Sequence, residues 1–235
     1  MGKSHLKRIV MPKSWPIHRK ENVWVTTPES ATHSYRGAIS INTIVKEMIK
    51  CANTTKEVKH MLNEGKIKID GIVRKSHKFP VGLMDTITIE GLEKSFRFLI
   101  NKKGKFFLQE ISKTEANVKP RKIINKTAIK GNKLQFNLFD GVNIINKSKY
   151  DVRDTLVFSL KDNKISSHIP FEKGTLVYIT SGNKVGEIGI IKEILISEGS
   201  IPTQIVCTKE KEEFKTRIEH AFAIGKTKPI ITLPK

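Results

Sequence analysis

Lys3, His5, Lys7, Arg8, Lys13, Trp15, Arg19 and Lys20 lie within twenty residues that contain no Asp or Glu. A cationic segment without internal counterions repels itself and stays solvated, becoming ordered when phosphates replace its water and salt. The chemistry it offers is neutralisation of a polyanion, and each phosphate met releases condensed cations, so affinity should fall steeply with salt. Trp15 and His5 add rings that can stack on bases. Pro12, Pro16, Pro28 and Gly37 punctuate this region, so residues 1–40 read as an arm with short turns whose Trp15 and Trp24 dock on the body.

A second cluster follows: Lys56, Lys59, Lys66, Lys68, Arg74, Lys75 and Lys78. A third, smaller one sits in the glycine-rich stretch 181–186, where Asn183 and Lys184 stand between Gly182 and Gly186. The basic excess runs on through Lys119, Arg121, Lys122, Lys126, Lys130 and Lys133, which suggests an extended contact surface rather than one pocket. The whole chain of 235 residues carries 43 Lys+Arg against 23 Asp+Glu, a net charge of +20 that points to nucleic acid.

The elements that must present these groups can be read from periodicity. Ile41, Ile44, Val45, Met48 and Ile49 recur at helical spacing, with Asn42 or Thr43 available as N-cap. Thr54-Thr55-Lys56-Glu57 has the spacing of a capping box, which places Lys56 and Lys59 on a second helix that Gly65 ends. Such a helix N-terminus adds its own partial positive charge. Residues 66–74 alternate apolar and basic side chains around Asp70-Gly71, a strong hairpin signal, and a strand fits 85–90 with Ile87 and Ile89 inward.

From residue 95 the pattern is β-rich. Strands are expected at 95–100 and 105–111 around Lys-Lys-Gly, and at 123–129 and 133–139 around Lys130-Gly131-Asn132, then at 155–160 and 164–169. A short helix can begin at Ser112. Residues 171–224 form a further β unit: strands at 174–180, at 187–195 broken by Gly189, at 203–208 and at 213–216, the spacing of a small closed barrel. The fold class is therefore α+β and mostly β. Hydrophobic content of 38% with only 7% aromatics suits several small cores better than one large one.

Much is excluded. Cys51 and Cys207 are too far apart and too few for a disulfide framework or a zinc site, and read as reduced packing residues of a cytosolic protein. No apolar run reaches the roughly 18 residues of a membrane span, and the N-terminus lacks a signal peptide's apolar core. Seven His are scattered without triad or metal spacing. Neither cofactor, metal nor small-molecule substrate is expected.

The residues resemble known families at this point. Residues 41–92 are similar to the RNA-binding motif shared by bacterial small-subunit ribosomal protein four, tyrosyl-tRNA synthetases and pseudouridine synthases. Residues 174–200, with Gly182, Asn183, Gly186, Gly189 and Ile190, resemble the KOW motif of ribosomal proteins and transcription elongation factors. The order of units is more specific. His5-Leu6-Lys7-Arg8 with Pro12 and Trp15, then residues 67–74, Phe79-Pro80-Val81-Gly82-Leu83-Met84-Asp85, the KOW turn, Thr216-Arg217 with residues 222–226, and the closing residues 230–234 resemble one family throughout. That family is the archaeal and eukaryotic small-subunit ribosomal protein four of the "e" type. Glu187 and Ser181 depart from its KOW pattern, as do residues 32–35 from its proline-rich stretch.

The resemblance implies a non-enzymatic, cytoplasmic constituent of the small ribosomal subunit, with small-subunit ribosomal RNA and neighbouring small-subunit proteins as partners. It implies a basic arm at 1–40, a helix–helix–hairpin RNA-binding domain at 41–92, a central β domain at 93–170, and an SH3-like KOW barrel with extension at 171–235. The compact length favours an archaeal member. A pseudouridine synthase would need a catalytic Asp in a larger domain, and the nearest candidate is Arg153-Asp154. An elongation factor would not need the helix–helix–hairpin unit.

Overall fold

Short runs with alternate apolar residues, separated by Asp-Gly and Lys-Gly punctuation, fold into strands. The computed structural model describes residues 5–92, 94–131, 133–146, 150–196, 202–209 and 212–233. Lys3, Asn132 and Pro234 lie outside the described residues. The chain divides into two compact units, Met1–Leu99 with Lys105–Lys119, and Ile100–Gly104 with Pro120–Lys235.

In the first unit, β1 (Leu6–Lys7) and β2 (Trp24–Val25) make an antiparallel ribbon. Strand β3 (Ala38–Ser40) leads into α1 (Ile41–Thr43), which continues as a π-helical stretch at Ile44–Ile49 and stops at Lys50 in the left-handed conformation. The N-cap is Ser40, which makes no side-chain capping bond, rather than Asn42 or Thr43. Helix α2 (Thr55–Asn63) carries the expected capping box between Thr54 and Glu57. Gly65, at φ +77°, closes it: its N–H donates to Leu62 O and that of Lys66 to Met61 O, a Schellman arrangement.

Strands β4 (Ile67–Ile69) and β5 (Ile72–Val73) form the hairpin around Asp70 (φ 51°) and Gly71 (φ 76°), a turn in which both residues need positive φ. After β6 (Pro80–Gly82), which pairs with β3, come β7 (Thr86–Ile89), β8 (Ser95–Ile100) and β9 (Phe106–Ile111). The sheet order is β5-β4-β7-β8-β9. Ile67, Ile69, Ile87 and Ile89 are buried, as are Val58 and Leu62 of α2.

A buried charge cluster pins this hairpin. The Lys119 ammonium donates to Asp70 Oδ2 and to Asp85 Oδ1, each at 2.6 Å. Asp85 also accepts from the Gly82 N–H at 2.9 Å and pairs with His33 Nε2 at 3.0 Å, while Asp70 accepts from the Thr86 N–H at 3.0 Å. Burial, reinforced by the charge of Asp85, raises the Asp70 carboxyl. At Asp85 burial pushes the same way, but Lys119 and then His33 outweigh it and hold the group below the usual carboxylate range.

Two further five-stranded sheets follow, and all their residues except Val118 and Lys119 belong to the second unit. The first comprises β10 (Val118–Ile129), β11 (Lys133–Leu138), β12 (Asn143–Asn146), β13 (Thr155–Ser159) and β14 (Lys164–Ile169), in the order β12-β11-β10-β13-β14. Ile123, Phe136, Leu138, Leu156 and Phe158 are its core. The second comprises β15 (Leu176–Ile179), β16 (Ile188–Leu195), β17 (Gln204–Lys209), β18 (Glu212–Arg217) and β19 (Ala221–Gly225), in the order β18-β17-β16-β15-β19.

Three expectations change here. Strand β10 begins at Val118, five residues before the pattern predicts, because the side chains of Lys119, Arg121 and Lys122 are internal and disguise it as polar. Gly189 does not break β16. The irregularity lies between Ile191 and Glu193, and Gly189 is needed because a Cβ there would meet the Phe214 ring at 3.2 Å. Strands β12 and β19 carry no alternation that periodicity could find. Gly186 does serve close approach: at φ +76°, its Cβ would stand 2.5 Å from the Asn101–Lys102 backbone.

Removing the Lys119 ammonium strands two buried carboxylates, so Lys119→Ala should cost about 3–5 kcal/mol in urea unfolding. Asp85 has a folded pKa below its unfolded value of about 3.9. Its contribution is therefore present above that pH and is lost as pH falls below it, so acid unfolding should steepen there and shift upward in Asp85→Asn.

Candidate nucleic-acid interface

The arm is not free. Arg8 is 1% exposed. Its guanidinium is clasped by both carboxylate oxygens of Glu47, meets Glu21 at 3.3 Å and donates to the His18 carbonyl. Trp15 is 2% exposed, its ring 6.3 Å from that of Tyr35. The Phe106 N–H donates to Ser14 O at 2.8 Å. Glu21 and Glu47, beyond the carboxylate-free twenty residues, supply the counterions the local reading lacked. Arg8 is therefore a structural cation and Trp15 a core ring, and neither is presented to a ligand.

Lys7, Lys13 and Lys20 remain exposed, as does His5, whose ring lies 5.7 Å from that of Trp24. Arg19 is half-buried and spends its guanidinium on the carbonyls of Ile9 and Met11, at 2.8 and 3.0 Å. Trp24 does the reverse of what the sequence suggested and projects outward.

On the helix–hairpin surface Lys56 and Lys59 project from the exposed side of α2. Lys66 pairs with Glu64 at 2.7 Å and Lys68 with Glu90 at 2.5 Å. Exposed pairs of this kind exchange readily for phosphate, being worth about 1 kcal/mol or less. The Arg74 guanidinium lies 4.4 Å over the Phe79 ring, while Lys75 is exposed. Lys59, His77 and Lys78 converge: burial first, then the charges of Lys59 and Lys78, lower the His77 pKa against the pull of Glu29. The part of that depression due to Lys59 and Lys78 marks where positive charge gathers around His77.

Lys119, Arg121 and Lys122 leave the proposed contact surface altogether. Lys119 belongs to the carboxylate cluster. Arg121 pairs with Asp140 at 2.7 Å and lies over the Phe158 ring at 4.6 Å. Lys122 donates to the carbonyls of Glu219 and Ala221, and burial, then Arg153, pulls its pKa down to about 8. Lys126, Lys130 and Lys133 stay exposed. In the turn before β16, Asn183 is exposed and Lys184 lies 5.8 Å over the Phe214 ring and 4.0 Å from Glu187.

Asp154, where an enzymatic reading would begin, is buried and accepts from the N–H groups of Asp151 and Phe171 while pairing with His168 at 2.7 Å. It is a structural acceptor. Among the described residues, no group of three or more His, Cys, Asp or Glu could hold a metal, and no helix is long and apolar enough to cross a membrane. The arrangement offers dispersed lysines on rigid elements, which can neutralise phosphates by shape without reading base edges.

Residues 92–165 match the profile described as ribosomal family S4e, and residues 1–36 match the RS4NT (NUC023) domain. The small ribosomal subunit protein eS4 of Methanosphaera stadtmanae is 39% identical over 232 residues, spanning 99% of this chain and 96% of that protein. The eS4 protein of Methanocella arvoryzae is 38% identical over 228 residues, 97% of each chain. The crystal structure of the 30S ribosomal protein S4e from Thermoplasma acidophilum superposes with a TM-score of 0.72 at 32% identity, covering 83% of this chain and 99% of that one.

Burial is the larger cause of the His77 depression, and phosphates arriving beside Lys59 and Lys78 would cancel the part that those two charges add. The His77 pKa should rise when the protein binds a folded RNA, with proton uptake, so binding tightens as pH falls through the interval below the ordinary value of about 6.5. Side-chain NMR titration of His77 with and without RNA checks this. A pKa that does not move on binding would place the RNA elsewhere.

Proposed function

Because the chain belongs to the ribosomal S4e family and is a structural constituent of the small ribosomal subunit, not an enzyme, we propose that its exposed lysines hold small-subunit ribosomal RNA. The observation that carries this is identity of 38–39% over nearly the whole length of proteins named for that subunit. Its place is the cytoplasmic ribosome, where RNA and neighbouring ribosomal proteins surround it.

We read the contact surface as Lys7, Lys13 and Lys20 of the arm, Lys56, Lys59, Lys66, Lys68, Arg74, Lys75 and Lys78 of the helix–hairpin region, and Asn183 and Lys184 of the glycine-rich turn. Support comes from their solvent positions and from the potential at His77. Residues 41–92 act as the RNA-binding domain, 93–170 as a central β domain and 171–235 as a KOW barrel of SH3 type. Five short antiparallel strands, with a 3-10 turn at Ile218–His220 between β18 and β19, favour the barrel reading. The mechanism is scaffolding: preformed elements dock by shape where RNA strands crowd, and lysines replace counterions.

Replacing Lys7, Lys13 and Lys20 together by Gln should flatten the dependence of log K on log salt by roughly two to three units for a small-subunit RNA transcript. Arg8→Gln should leave that slope alone and instead lower thermal stability, since it strands Glu47. An equal slope in the triple variant would remove the arm from the interface. Co-sedimentation of the chain with small subunits through a high-salt gradient tests the wider reading.

A further inference from the structure

Trp24 is 55% exposed, although Trp is the side chain that gains most from burial. The register of the β1/β2 ribbon explains its orientation. Lys7 is the cross-strand partner of Trp24 and Leu6 that of Val25, so His5, Lys7 and Trp24 share one face of the ribbon while Leu6 and Val25 turn to the other. The inward pair is partly buried and the outward three are exposed. One face of a two-stranded ribbon thus presents an indole, an imidazole in edge contact with it at 5.7 Å, and an ammonium.

Trp24 also borders a cavity of about 550 Å³ in the first unit, lined by Val25, by Asn42, Thr43 and Lys46 of the first helical segment, by Thr55 at the start of α2 and by the Arg8–Glu47 pair. That volume suits a single nucleotide rather than a duplex. Asn42 is 4% exposed; its Nδ2 donates to the hydroxyls of Thr26 and Thr55, at 2.7 and 3.3 Å, and its Oδ1 has no partner among the described residues. An unpaired buried acceptor is costly, and a turn of the Asn42 amide toward the cavity would let an N–H on the edge of an entering base satisfy it. Lys7 and Lys46 bring positive charge for the attached phosphates.

We infer that Trp24 and this cavity form a subsite for one unpaired RNA nucleotide, its base stacked on the indole and its phosphate met by Lys7. The inference rests on the RNA-holding reading above and deepens it from charge neutralisation to capture of a particular unstacked base. Every base has a π-face and an N–H donor on its pairing edge, so the subsite selects an unpaired nucleotide over a paired one before it selects among bases. An apolar protein partner is the competing occupant, since Ile9, Val10 and Val23 are also exposed. The Lys7 ammonium on the indole's own face favours RNA.

Two variants separate these occupants in the full-length protein. Trp24→Leu keeps bulk and apolarity but loses the ring, and Trp24→Phe keeps a ring. With a transcript of the small-subunit ribosomal RNA from the same source, Trp24→Leu should weaken binding about 5- to 150-fold with an unchanged salt slope. Trp24→Phe should stay within about threefold of the parent. Chemical probing should show one unpaired nucleotide protected by the parent and exposed with the Leu variant at saturation. Equal affinity and footprint for Leu and parent would overturn the subsite while leaving RNA binding intact. So would a Leu variant that binds naked RNA normally but enters the assembled subunit poorly, which would mark a protein contact. A parent that ignores the transcript would instead overturn the RNA-holding reading itself.

Discussion

The Lys119 ammonium, shared by Asp70 and Asp85, is the interaction on which the first unit turns. Asp70 occupies the tip of the β4/β5 hairpin, Asp85 the entry to β7, and Lys119 the start of β10, so one cation joins three segments far apart in sequence. Three charges in a low-dielectric interior tolerate little displacement, because each loses its partner before water can replace it. The hairpin that carries Lys66, Lys68 and Arg74 is thereby given a fixed place relative to the sheet behind it.

A chain with a charge of +20 faces a division problem: which cations to neutralise inside and which to leave for a ligand. Arg8, Arg97, Lys119, Arg121 and Lys122 are spent internally, on carboxylates, carbonyls and aromatic faces. Those left outside repel one another, a strain that a polyanion relieves. The same charge that suits ribosomal RNA therefore also makes the isolated chain lean on its few acidic residues. Glu47 on the helical segment and Glu21 in the arm are examples, since together they hold Arg8 and with it the arm's path across the unit.

That path decides what the arm can do. With Trp15 packed and Arg8 clasped, the ribbon of β1 and β2 becomes a platform rather than a tether, and of the two Trp rings the exposed one is Trp24. A preformed platform loses less conformational entropy on binding than a free segment does.

Much was legible from residues in order, because local physics governs it: the Thr54–Glu57 capping box, the Gly65 stop, the Asp70-Gly71 turn, most strands, and the excess of cations that calls for RNA. These depend on spacing of a few residues and on turn geometry that few side chains can adopt. What only the tertiary structure decided is which charges face water. Lys119, Arg121 and Lys122 look like surface residues until the carboxylates, carbonyls and rings brought from distant segments are seen around them, and they hide the first residues of β10 from any period-two reading. Trp15 and Trp24 are likewise alike in sequence, both set in a basic, proline-punctuated arm. Trp24 is exposed because the ribbon register sets it opposite Lys7, 17 residues away, on the outward face, whereas Trp15, outside any strand, is buried in the unit.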